Sequence, residues 1–181
     1  MSELRSDRLL LRQWREADRA PFAALNADAE VMRHFPAPLD RAASDALVDR
    51  ERDRIATRGW GLWAVEALEG GRFVGFVGLA EAPAALPCAP AVEIGWRLAR
   101  ESWGHGYATE AARAVLHHGF AVLALPEIVS FTATTHAPSE AVMKRLGMHP
   151  GKPFEHPNVP EGSTLRPHLL YRLTRRDFEA S

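Results

Sequence analysis

The stretch "ESWGHGYATEAARAVL", residues 101–116, decides how the chain is read. Gly104 and Gly106 sit one residue apart, and an apolar-periodic segment follows: Ala112, Val115, Leu116, Gly119, Phe120 and Leu123 fall at helical spacing. Just before it, "AVEIGWRLA" (91–99) is rich in β-branched and aromatic residues and reads as a strand. Strand, glycine turn and helix N-terminus together make an anion site. The first N–H groups of the helix have no internal partner, and the helix dipole favours negative charge there. A P-loop would need a lysine after its second glycine, and none is present. A dinucleotide fingerprint would need a third glycine where Thr109 stands. By themselves the two glycines also fit a tight turn with no ligand.

Working outward, "RLLLRQW" (8–14) is a first strand, and Asp18 is placed to cap the helix that follows. Asp28 is placed to cap a short second helical turn. Asp40 opens a long helix over 41–58, and Gly59 stops it. "WGLWAVEA" and "RFVGFVGLAE" are joined by "LEGG" (68–71) and read as a hairpin. "EIVSFTAT" (127–134) is a strand, Pro138 begins a helix ended by Gly147, and "HLLYRLTR" (168–175) is the last strand. Residues 149–167, with five prolines, read as irregular. The order predicts an α/β (α+β) sandwich with a mixed sheet, in one domain over 1–181.

Composition narrows the function classes. The 181 residues are 46% hydrophobic and 25% charged, with a net charge of −1, so nothing points to a nucleic-acid partner. Cys88 is the single cysteine, which excludes an internal disulfide and a thiolate metal cluster. His117 and His118 are adjacent on a helix, about 100° apart, and cannot chelate together. No zinc spacing joins the other histidines, so no metal is expected. The N-terminus carries charges where a signal peptide needs an apolar run, and no apolar stretch reaches membrane-spanning length. A cytoplasmic protein without membrane partners is the expectation.

"Trp103-Gly-His-Gly-Tyr-Ala-Thr109" after "Val92-Glu-Ile-Gly-Trp-Arg-Leu98" resembles the acetyl-CoA signature of the GNAT N-acetyltransferase superfamily, in its RimJ/RimL-type form. The signature is Gln/Arg-x-x-Gly-x-Gly/Ala, and here Trp103 departs from its first position. "LRSDRLLLRQWREAD", "GLWAVE" and "SEAVMKRLGM" extend the likeness along most of the chain. The resemblance implies a mostly antiparallel sheet flanked by helices and splayed between the strands at 91–99 and 127–134, with Gly95 helping the opening. It implies acetyl-CoA as cosubstrate, its pyrophosphate on Trp103, Gly104, His105, Gly106, Tyr107, Ala108 and Thr109. The pantetheine would lie along the main chain of Leu98 and Arg100, and an N–H near Ile94 to Trp96 would polarise the thioester.

The acceptor would be a primary amine: a peptide N-terminus, an amino acid or another small molecule. Glu93, the only acid on the strand before the turn, is the candidate base; its bland reading is a strand glutamate paired with an arginine. Ser139 and Tyr171 are candidates to protonate the departing thiolate. The likeness also puts an Asn-x-x-Ser motif here, of which "HAPS" keeps Ser139 but has His136 for asparagine, putting the pantetheine contact at 136 in question. Trp14, Phe35, Trp60 and Trp63 are candidates for an amine-site wall or for plain core. A homodimer is common in the resembled branch. The alternative function is an acyl-CoA-binding regulatory module without turnover.

Overall fold

The computed structural model describes residues 3–180. Its elements are β1 (Leu4–Arg5), β2 (Leu9–Arg12), α1 (Arg19–Ala27), α2 (Arg41–Arg58), β3 (Leu62–Ala67), β4 (Arg72–Glu81) and β5 (Val92–Leu98), then α3 (Tyr107–His117), β6 (Glu127–Ala133), α4 (Ala137–Arg145), β7 (His149–Pro150), β8 (Phe154–Glu155), β9 (Pro167–Thr174) and α5 (Arg175–Glu179). The strands form one sheet in the order β1-β2-β3-β4-β5-β6-β9-β7, with β8 also on β9. Every pairing is antiparallel except β5 with β6. This is the mixed, mostly antiparallel sheet that the sequence predicts.

The parallel pair is where the sheet opens. β4 and β5 are in register from Gly75–Leu98 to Glu81–Val92, but β5 meets β6 at Glu93–Val129 alone. One residue on, Ser130 Oγ donates to the Ile94 carbonyl at 3.0 Å, where a main-chain N–H would otherwise continue the ladder. Beyond Ile94 the strands separate.

Strand alternation divides β5 between two layers. Ile94 and Leu98 are buried in the main core with Val115 and Leu116 of α3. Glu93, Gly95 and Arg97 take the opposite face, opposite Ala80, Gly78 and Phe76 of β4, and Phe76 packs against Phe22 of α1. Asp40 caps α2 by accepting from the Ala43 N–H at 2.8 Å, and Gly59 ends it in the left-handed region, both as expected.

Asp18 departs from its expected role. It forms a buried two-pronged pair with Arg12, Nη1 and Nη2 donating at 2.7 and 2.9 Å. It also accepts the Arg15 N–H, so it closes a 3-10 turn at Glu16–Asp18 and does not cap α1. A buried carboxylate is held where the guanidinium neutralises it, and that outweighs a solvent-facing cap. Asp28 caps a short helical turn as expected, its Oδ1 accepting from the Glu30 and Val31 N–H groups at 2.8 and 3.3 Å and its carbonyl from the Met32 N–H at 2.9 Å, and the turn does not extend into a helix. Two short strands, β7 and β8, lie within the segment predicted to be irregular.

Candidate active site

The glycine turn has the conformation that an anion site requires. Gly104 and Gly106 have φ of 76° and 79°, in the left-handed region where a Cβ is disfavoured. Gly106 is the N-cap of α3 and offers no side chain to its first N–H groups. Among the described residues, no hydrogen bond occupies the N–H groups of residues 104–109. The positive end of α3 is therefore open to an external acceptor.

A cleft of about 1100 Å³ runs from this turn to the opening between β5 and β6. Trp96, Leu98, Trp103, Gly104, Gly106, Tyr107, Ala108, Thr109, His136 and Ser139 line it, so most of the residues expected from sequence are brought together. Arg100 and His105 do not line it. Arg100 sits in a 3-10 turn with its carbonyl taken by the Trp103 N–H, and His105 stacks against Tyr107. The main chain of β5 supplies the wall. Ala99 N–H donates to Val74, so alternation turns the polar groups of Arg97 toward β4 and those of Trp96 and Leu98 toward the opening. The Leu98 carbonyl is already bonded by the Trp103 indole at 2.9 Å. Trp96 N–H and C=O and Leu98 N–H are left as an edge that an extended polar ligand could pair with.

Arginines at the mouth were not foreseen. Arg8, Arg113 and Arg145 line the cleft near the turn. Arg8 lies over the Tyr107 ring at 4.9 Å and bonds Glu110, whose carboxylate also accepts from Ser6 Oγ at 2.7 Å. Arg113 could have been found: four residues after Thr109 and seven after Gly106, it shares their helix face.

At the other end His136 is stacked on His34, ring centroids 4.1 Å apart and 13° from parallel. His136 Nδ1 shares a hydrogen bond with Thr132 Oγ1 at 3.1 Å, and His34 Nδ1 one with Thr135 Oγ1 at 3.2 Å. Burial, then the neighbouring imidazole, lowers the His136 pKa to about 4, so the ring is neutral at pH 7. Its unfolded value is near 6.5. Stability from this site is therefore complete above about pH 6.5 and lost as pH falls through 4.

Glu93 is set back from the cleft lining. Among the described residues its carboxylate has no hydrogen-bond or ion-pair partner, so the arginine pairing of the bland reading is absent. Burial raises its pKa to about 7. A Cβ added at Gly95, the next residue on its face, meets nothing within 4 Å, so open space separates Glu93 from Arg97. The raised pKa has a measurable cost. Below about pH 4.5 the group is protonated in both states. Between 4.5 and 7 the unfolded chain ionises first, and above 7 the native state carries the full penalty. Glu93→Gln should therefore stabilise the fold at pH 8, by on the order of 1–3 kcal/mol, and leave it unchanged at pH 4. Equal melting shifts at both pH values would contradict the burial assignment.

Ser139 is buried at the first turn of α4, its N–H on the His136 carbonyl. Tyr171 is elsewhere: it packs in the core under α4 and its hydroxyl donates to Glu140 Oε1 at 2.7 Å. Burial and that carboxylate raise its pKa, and it does not line the cleft. Of the aromatic wall candidates, Phe35 lines the cleft; Trp14 and Trp63 are core and Trp60 packs against it. Among the described residues no group of three or more metal-ligating side chains is assembled, and no helix is long and apolar enough to cross a membrane.

Comparison with known proteins gives four matches. The family model described as "Acetyltransferase (GNAT) domain" matches residues 8–149. The Bacillus subtilis (strain 168) protein YkkB is 31% identical over 160 residues, 88% of this chain and 92% of its own. Among solved structures, the acetyltransferase from Agrobacterium tumefaciens str. C58 superposes with a TM-score of 0.78 at 27% identity, covering 96% of this chain and 94% of that one. Mycobacterium smegmatis RimJ in complex with CoA-disulfide gives 0.73 at 22% identity, covering 99% and 92%, a likeness of fold.

Proposed function

Because the chain belongs to the GNAT acetyltransferase family, we propose that it transfers the acetyl group of acetyl-CoA to a primary amine by direct attack. The observation that carries this reading is the continuity of one cleft. It joins a helix N-terminus open to an anion with a strand edge open to an extended amide chain. Pyrophosphate would take the N–H groups of Gly104 to Thr109, with Arg8, Arg113 and Arg145 adding charge at the mouth. Pantetheine amides would pair with the free edge at Trp96 and Leu98.

The chemistry follows from that placement. The thioester carbonyl would lie at the start of the splay, where Trp96 N–H stabilises the developing oxyanion. The amine arrives protonated, and Glu93 takes that proton, acting through water across the space beside Gly95. The neutral amine forms a C–N bond, the C–S bond breaks, and the proton that the new amide nitrogen sheds reaches the departing thiolate by way of Ser139 Oγ, which gives one proton and takes one back. Ser139 is preferred to Tyr171, whose hydroxyl is committed to Glu140.

The test is release of CoA thiol, followed colorimetrically, from acetyl-CoA and a panel of primary amines. Tight CoA binding with no release on any amine would favour an acyl-CoA-binding module instead. His136 offers a narrower check. Its neutral ring can donate from the nitrogen that Thr132 does not use, as an asparagine amide would. His136→Asn should therefore bind CoA within a few-fold of the parent, by calorimetry. A loss on the order of 100-fold would mean that the imidazole has its own part in the site.

A further inference from the structure

Arg97 stands on β5 between the glycine turn and Glu93, on the same face as Glu93, and lines the cleft. Its Nη1 donates to Asn26 Oδ1 at 2.7 Å. The rings of Phe35 and Phe76 lie against the guanidinium, 4.2 and 5.4 Å from Cζ to each centroid. Nε is buried and, among the described residues, has no acceptor; no carboxylate pairs with this side chain. Burial lowers its pKa to about 10, so it remains charged at neutral pH.

That is an expensive arrangement for a structural role. A guanidinium removed from water without a counter-ion costs several kcal/mol, and two rings and one amide oxygen do not neutralise it. If its task were to tie α1 to β5 through Asn26, a neutral glutamine would serve and leave no N–H over. What remains unused is Nη2, which can donate to a carboxylate in the cleft, and Nε, which is enclosed and would complete a two-pronged grip only if the guanidinium turned toward the ligand.

The position says which carboxylate. Same-face neighbours on a strand are about 6.6 Å apart, and Gly95 lies between Glu93 and Arg97. An amine above Gly95 has a proton acceptor on one side and this cation on the other. We propose that Arg97 binds a carboxylate of the acceptor, which is therefore a primary amine carrying a nearby carboxylate, of the amino-acid class. The proposal rests on the acetyl-transfer reading. A polyamine would bring like charge to the unpaired guanidinium, and a peptide N-terminus offers an amide where the free acid is wanted.

The experiment compares α-, β- and γ-amino acids with their carboxamides, which match in shape and lack the charge. Binding to the protein loaded with CoA is read by calorimetry, and CoA thiol release by colorimetry. At least one free acid should bind about 10–100-fold more tightly than its carboxamide, the range of a charge-assisted pair. Arg97→Gln, which keeps a donor for Asn26, should abolish that difference and leave CoA affinity within a few-fold. Equal affinity for the two members of every pair, or no binding of any acid, overturns the proposal without needing the variant. The two readings also fail differently. Thiol release on neutral amines with no preference for acids sinks the carboxylate site alone. Acids bound tightly through Arg97 without thiol release sink the transfer reading and leave the carboxylate site.

Discussion

Glu93→Gln should lower kcat by about 10²–10⁴-fold and leave acetyl-CoA affinity nearly unchanged, because the side chain acts on the proton of the amine and touches no part of the proposed CoA path. Glutamine keeps the shape but cannot accept a proton at neutral pH. The pKa of about 7 sets the pH signature. In the parent, kcat/KM should rise with pH through about 7 as the carboxyl ionises, and this limb should vanish in the variant. The deficit should also shrink at high pH, where more amine arrives neutral. Stability moves the other way, since the variant removes a buried charge; a more stable and nearly inactive enzyme is the combined expectation. Near-normal turnover at pH 7 with an amine that the parent acetylates would remove Glu93 from the mechanism and send the proton elsewhere.

The parts of this design legible in the sequence are those enforced locally. Asp40 and Gly59 bound α2 because a cap and a left-handed stop are properties of a few adjacent residues. The turn at 104–106 is legible for the same reason, as is the face of β5, since alternation fixes which side chains share a side. Long-range neutralisation was not legible. Asp18 looked like a cap because nothing in its own turn announces Arg12, six residues earlier on β2. Tyr171 has the right chemistry for an acid, but its partner Glu140 is 31 residues away on α4. Nothing in the sequence singles out Arg97 from the other residues of its strand. Only the assembled cleft, with Asn26, Phe35 and Phe76 around it and no carboxylate among the described residues, makes it a candidate for binding.

The glycine turn gives the other large expected effect. Gly106→Val should weaken acetyl-CoA binding by about 100-fold or more while the protein stays folded. The cause is conformation and not space: a Cβ at 106 would stand 3.6 Å from Arg8 Nη2, an ordinary contact, but φ is 79°. A β-branched residue there costs about 1–3 kcal/mol in backbone strain, and the turn can relieve it by rotating φ negative. Rotation turns the adjacent N–H groups away from the pyrophosphate. Losing two charge-assisted hydrogen bonds, at roughly 1.5–3 kcal/mol each, accounts for a change of this size. Alanine at the same position tolerates the left-handed region better than valine, so Gly106→Ala should fall between the parent and Gly106→Val. The order of the three affinities is read by calorimetry, with circular dichroism to confirm folding. Parent-like affinity in folded Gly106→Val would mean that the N–H groups of this turn do not carry the phosphates, leaving that charge to Arg8, Arg113 and Arg145.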